Sequence, residues 1–347
     1  VVNAEAASEE APFLLACRRL PAPHTPVWFM RQAGRSLPEY RAIRGSGSIL
    51  DAIAQPELAA EITMQPVRRY GVDAAILYSD IVVPVHAVGF GVDVVPGVGP
   101  VVNSPFRSKD DLDRLRPLEP EVDTPYVLET VRMLAAGLPP SVTLIGFAGA
   151  PFTVASYLIE GRPSRTYATT KALMHGEPSL WADLMDRLAD LALASLRSQV
   201  EAGARAVQVF DSWAGALSPR DYAEFVLPHT SRIFSGLADL DVPRIHFGVG
   251  TGELLGLMSS AGADVVGVDW RVPLSDAWAR VGDDKAVQGN LDPALCLAPW
   301  QVVEAETRRV LAEAGGQPGH IFNLGHGVLP ETDPDTLARI VEVVHGG

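Results

Sequence analysis

The chain has 347 residues, 47% of them hydrophobic, and a formal net charge of −14. That length can bury a large core. The acidic balance argues against nucleic acid, and any anionic substrate would need short-range cations to overcome long-range repulsion. No apolar run is long enough to span a membrane, no basic-then-apolar leader opens the sequence, and the only cysteines are Cys17 and Cys296. A disulfide framework and a Cys-rich metal site are therefore excluded, and a cytoplasmic protein is expected.

Residues 1–10 are small and acidic and read as a flexible tail, leaving 11–347 as a single domain. Glu9–Leu20 predicts a helix. Eight short apolar runs then read as strands: Val27–Met30, Ala74–Ser79, Thr143–Gly146, Ala206–Phe210, Arg244–Phe247, Val265–Val268, Ala286–Gln288 and His320–Asn323. Helical periodicity marks Pro56–Tyr70, Pro178–Ala202, Pro219–Ala238, Thr251–Ala261, Trp300–Ala314 and Asp333–His345. Continuous apolar strands alternating with helices predict a parallel sheet covered by helices. Eight such pairs favour an α/β fold of the (β/α)8 TIM-barrel type, with an open doubly wound sheet as the second choice. The interval between the second and third strands is too long for one crossover. Its runs Val82–His86, Val92–Val95 and Pro100–Asn103 predict extra short strands or a hairpin.

In such a barrel the chemistry lies at the C-terminal strand ends. The first strand runs into Arg31-Gln32-Ala33-Gly34-Arg35, followed by Arg41 and Arg44. Guanidinium forks at this density suit carboxylate or phosphate, and Gly34 lets backbone approach a ligand. The plain alternative is a solvated basic loop. The second strand closes on Asp80, whose burial would require a partner such as one of the arginines or a role as helix cap. The third leads into a helix carrying Tyr157, the fourth ends in Asp211-Ser212-Trp213, the sixth in Asp269-Trp270, and the eighth in Asn323-Leu-Gly-His326-Gly327.

A pyridoxal Schiff base would need a lysine at this face, but Lys285 precedes its strand, and Lys109 and Lys171 fall in helical or loop stretches. The eight histidines are scattered with no His-x-His, so no metal site is expected. Gly248-Val-Gly-Thr-Gly252 is a weak phosphate-loop signal that a tight turn explains equally well.

Pro26-Val-Trp-Phe-Met-Arg-Gln-Ala-Gly-Arg35 resembles the first signature of the uroporphyrinogen decarboxylase family. Gly146-Phe-Ala-Gly-Ala-Pro-Phe-Thr-Val-Ala-Ser-Tyr-Leu-Ile-Glu-Gly161 resembles the second. Gln208–Ser212, Gln288–Asp292 and Phe322–Pro330 follow in the expected order, so the resemblance extends over nearly the whole chain. It implies a single-domain (β/α)8 barrel that forms homodimers, uses no metal or organic cofactor, and acts on a tetrapyrrole, uroporphyrinogen. It places the substrate-binding positions on Arg31, Gln32, Ala33, Gly34, Arg35, Arg44, Asp80, Phe147, Tyr157, Phe210, Ser212 and His326. Asp80, Arg31, His326 and Tyr157 are the catalytic candidates, with Asp80 ionised near the pyrrole N–H groups. Arg31, His326 or a water held by Arg31 are all open as the proton donor. Two other readings stand beside this one. Corrinoid-dependent methyltransferases of the same superfamily hold zinc with His-x-Cys, where this chain has His246-Phe247-Gly248. A non-catalytic tetrapyrrole binder would keep the arginines without needing an ionised Asp80.

Overall fold

A computed structural model of the chain describes residues 10–34 and 36–346. The predicted tail lies outside the described residues except for Glu10. The expected first helix is observed as Pro12–Cys17.

Nine strands occur among the described residues: β1 (Ala74–Ile76), β2 (Val92–Val95), β3 (Gly99–Val102), β4 (Thr143–Gly149), β5 (Ala206–Asp211), β6 (Arg244–Gly248), β7 (Val265–Gly267), β8 (Ala286–Gln288) and β9 (His320–Ile321). Seven of them form one sheet in the order β1-β4-β5-β6-β7-β8-β9, with every neighbouring pair parallel. β2 and β3 pair antiparallel as a separate hairpin, the excursion expected between the second and third predicted strands. The first predicted strand, Val27–Met30, is a correction: it forms a single bridge, Val27 to Phe322, and is otherwise irregular. Even so, it touches both sheet edges. Phe322 donates its N–H to Pro26 O, and Asp73, beside β1, donates to Val27 O.

The sheet is curled, as one buried chain of side chains shows. Trp28 Nε1 donates to Gln288 Oε1 at 2.9 Å, and Gln288 Nε2 donates to Gln208 Oε1 at 3.0 Å. Gln288 is on β8 and Gln208 on β5, three positions apart in the sheet. In a flat sheet three spacings would separate them by roughly 14 Å. Direct contact requires the strands to bend round a common interior. The fold is therefore TIM-barrel-like, α/β with helices outside.

Helix boundaries follow local chemistry. Pro56–Tyr70, Pro178–Ala202 and Trp300–Ala314 occur as expected. Pro56 and Pro178 take the first helical position, where an N–H would find no intrahelical partner, Pro299 caps the third helix, and Gly71 and Gly315 close two of the three in the left-handed conformation. Three expectations need correction. Val82–His86 is not a strand, because Val83–Ala87 is helical with Pro84 in its first turn. Pro219–Ala238 divides into Pro219–Phe225 and Leu227–Ser235, with Pro228 near the N-terminus of the second piece where its missing N–H is tolerated. Thr251–Ala261 divides into a 3-10 turn, Gly252–Leu254, and the helix Leu255–Ser260.

Candidate active site

The site begins with a turn that the rest of the barrel end holds in place. Gln32 is fully buried: its Oε1 accepts from Phe29 N at 3.0 Å and its Nε2 donates to Ala74 O at 3.0 Å. On the other side Met30 N donates to Asn323 Oδ1 at 3.1 Å, and Val328 N donates to Met30 O at 2.9 Å. Arg31, between these anchors, adopts φ +59°. A left-handed arginine costs about 1–2 kcal/mol, so the anchors must impose the conformation. A Cβ on Gly327 would lie 2.5 Å from Arg31 Cδ. Only glycine at 327 leaves room for the arginine stem.

Asp80 follows β1 and is half-buried, accepting from Val82 N at 3.0 Å. Burial raises its pKa, against the Val82 amide, the Arg31 charge and the Ile81 amide. Tyr157 lies on the helix Pro151–Glu160 with its ring 6.0 Å from that of Trp213. Its hydroxyl is pushed up to about 12, chiefly by burial, with the Trp213 hydrogen bond opposing and the Asp80 charge adding. His326 is half-buried after β9, and its pKa is lowered to about 4, first by burial and then by the Arg31 guanidinium; Asp269 opposes and Arg271 adds. Arg31 thus acts electrostatically on Asp80, Tyr157 and His326, three groups carried by separate elements.

Aromatic rings cross the same end of the barrel. Phe147 on β4 meets Phe210 on β5 at 5.4 Å, Phe210 meets Phe247 on β6 at 6.0 Å, and Phe247 meets His326 at 6.4 Å. Gln199 positions the first of these by bonding both the N–H and the C=O of Phe147. Thr153 ties the helix after β4 to the loop after β5. Its hydroxyl donates to Asp211 Oδ1 at 3.1 Å and accepts from Trp213 N at 3.2 Å. That bracket sets the half-buried Ser212 at the rim.

The remaining predicted residues are less uniform. Both amide groups of Gln32 engage main chain, so its side chain holds the turn and any ligand contact must come from its backbone. Ala33 and Gly34 follow it, half-buried. Arg35 lies outside the described residues. Arg44 is the outlying member. It ends the helix Pro38–Arg44, donates to Gly47 O at 3.1 Å, and faces the Tyr40–Tyr78 hydroxyl pair.

The profile described as uroporphyrinogen decarboxylase (URO-D) matches residues 8–347. The chain belongs to the uroporphyrinogen decarboxylase family. A protein from Salinispora tropica named uroporphyrinogen decarboxylase is 65% identical over 336 residues, covering 97% of this chain and 90% of that relative. One of the same name from Streptomyces griseus is 62% identical over 339 residues, covering 98% and 92%. Among solved structures, a methyltransferase from Methanosarcina mazei superposes with a TM-score of 0.81 at 19% identity, covering 96% of both chains. A B12-independent methionine synthase from Shewanella superposes with a TM-score of 0.58 at 13% identity, covering 87% of this chain and 91% of that one. At such identities these two show a shared fold alone.

Membership of the uroporphyrinogen decarboxylase family agrees with the donor set around His246. Its side chain is fully buried, with Nδ1 3.4 Å from Met258 O and Nε2 3.6 Å from Asp211 Oδ2. The cysteines lie elsewhere: Cys17 on the N-terminal helix and Cys296 in the 3-10 turn after β8. Burial raises both thiols, so neither is a ready thiolate. The His-x-Cys zinc arrangement cannot be built here.

Sequence reasoning puts Trp213 and Asp269 at strand ends without giving either a role, and it misses Phe247 and Arg271 as neighbours of the site. Each stands at or just after a predicted strand end, and that position was the available signal. Arg271 stacks on Trp270 at 4.0 Å and pairs with Asp269 at 2.6 Å.

Proposed function

We propose that the chain is a carboxy-lyase that removes the four acetate carboxyls of uroporphyrinogen III, giving coproporphyrinogen III and carbon dioxide in porphyrin biosynthesis. The observation that carries this reading is the convergence of Arg31, Asp80, Tyr157 and His326 at one barrel end, in a chain matched to that family over residues 8–347.

Direct loss of carbon dioxide from an acetate side chain would leave an unstabilised carbanion. Protonating a pyrrole ring carbon first makes the ring a cationic electron sink. The electron pair of the breaking C–C bond then neutralises the ring as an exocyclic methylene forms. Protonation of the methylene gives the methyl group, and loss of the ring-carbon proton restores the pyrrole. Each cycle consumes one proton and releases one carbon dioxide, so the chemistry proceeds without metal or organic cofactor. Asp80, ionised opposite the pyrrole N–H groups, stabilises the developing cation. Those N–H groups supply donors that its carboxylate lacks in the free protein. Arg31 binds the reacting carboxylate, and Arg35 and Arg44 take peripheral ones. Tyr157 and Ser212 offer hydroxyls, and Phe147 and Phe210 pack against the macrocycle. With its pKa held near 4, His326 is neutral at physiological pH and acts as a hydrogen-bond partner. A guanidinium delocalises its charge and gives up a proton with difficulty, which favours a water held by Arg31 as the proton carrier.

A homodimer and a cytoplasmic location belong to this proposal. Among the described residues no helix is long and apolar enough to cross a membrane.

The test is anaerobic incubation with uroporphyrinogen, followed by oxidation and separation of the porphyrins by carboxyl count. Successive loss of carboxyls down to the four-carboxyl product is expected. Tight binding without any decarboxylated product would instead establish a tetrapyrrole binder.

A further inference from the structure

The opposite end of the barrel carries a second cluster. Asp73 immediately precedes β1, His24 precedes the irregular segment beside it, and His345 lies in the last turn of the helix Pro334–His345. Asp73 is 7% exposed. Its Oδ1 lies 2.7 Å from His24 Nε2, and its Oδ2 lies 2.8 Å from His345 Nε2. The two imidazoles are 4.2 Å apart at their centroids, and one ligand atom from each of the three residues falls within 4.8 Å of the others. Both imidazoles remain partly exposed. Val27 N donates to Asp73 Oδ2 at 2.7 Å, a main-chain bond that holds the carboxylate in orientation.

We propose that His24, Asp73 and His345 form a binding site for a divalent transition-metal ion of the zinc class. Two imidazole nitrogens and one carboxylate are the ligand types that such ions take, and partial exposure leaves a fourth position for water. The Val27 amide supplies the outer-shell hydrogen bond that ligating carboxylates usually carry. Ligand atoms 2.0–2.2 Å from a tetrahedral ion stand about 3.3 Å apart. Whichever Asp73 oxygen ligates, the imidazole hydrogen-bonded to it needs about half an ångström of opening, and the other ligand-atom separations lie within 4.8 Å. Bound metal would pin the C-terminal helix to the base of β1, far from the groups assigned to decarboxylation. The oxygen-seeking ions magnesium and calcium fit this donor set poorly.

The test is titration of the untagged full chain with zinc chloride, read by calorimetry and by the shift in thermal unfolding. Cobalt(II) serves as a visible-absorption probe of coordination. One equivalent of zinc is expected to bind and raise the unfolding temperature, while magnesium does neither. His24→Ala and His345→Ala should each weaken zinc by at least the ~10–100-fold that even outer-shell changes cost. His345→Gln keeps side-chain bulk and polarity and checks that lost binding is not lost folding. Absent zinc binding in the parent chain, or binding retained in both alanine variants, would overturn the site.

Discussion

Asp73 and Asp80 flank the same short strand, β1, and have opposite surroundings. Asp73, at the base, is surrounded by partners: the Val27 amide and two imidazoles. Asp80, at the C-terminal end, has among the described residues only the neighbouring Val82 and Ile81 amides as protein donors and feels Arg31 through its field, and burial raises its pKa. A carboxylate whose acceptor capacity is filled by the protein is part of the scaffold or of a metal site. One left short of donors in a partly buried place is prepared for donors from a ligand. The histidines six residues apart at the other end of the sheet repeat the lesson. Both are lowered to about 4. For His320 the cause is burial alone, opposed by its hydrogen bond to Gly289 O, whereas His326 also answers to Arg31 and Arg271. The size of a shift does not mark a functional residue, but its causes do.

The largest expected effect tests Asp80. Asp80→Asn keeps the shape and removes the charge, and should lower kcat by ~10²–10³, the scale of deleting one preorganised electrostatic group. Thermal stability should hardly change. Near-normal turnover would remove Asp80 from its role and collapse the contrast with Asp73.

His320 sharpens the histidine comparison. A histidine whose folded-state pKa is depressed adds stability above its unfolded pKa and loses it as pH falls. The window here runs from 6.5 down to about 4. For this buried group the loss is roughly 3 kcal/mol at about 1.4 kcal/mol per unit. Denaturant unfolding between pH 7 and 4 should show at least that loss, and His320→Gln, which can still donate to Gly289 O, should remove the His320 share and leave that of His326. An unchanged slope in the variant would assign the acid sensitivity elsewhere.

Asp73→Asn addresses the other carboxylate. Leaving buried partners mismatched costs about 1–3 kcal/mol. The variant should unfold at lower denaturant concentration while turnover per folded molecule stays at the parent value. A selective loss of turnover would place Asp73 in the chemistry.

The smallest effect concerns the Arg31 turn. Gly327→Ala should displace the arginine stem and weaken substrate binding by about tenfold, a modest share of what misplacement at a reacting centre can cost. Arg31→Lys, which keeps charge and loses the fork, should weaken binding in the same direction. Parent-like affinity in both would return the basic cluster to a solvated loop.

Much of this fold is written locally. Proline at the first position and glycine after the last turn delimit Pro56–Tyr70, and β-branched apolar runs mark β5, β7 and β8, because each signal acts within a few residues. The strand-end rule likewise puts Asp80, Tyr157 and His326 on one face. Local reading failed where a distant partner decides. Val83–Ala87 has the composition of a strand but coils into a helix, and Gln32 looks ligand-facing but is enclosed by Phe29 and Ala74. The left-handed Arg31, the neutral His326 and the meeting of His24 with His345 depend on register between segments hundreds of residues apart. Desolvation and Coulomb energy follow distance through space, which neither composition nor spacing along the chain specifies.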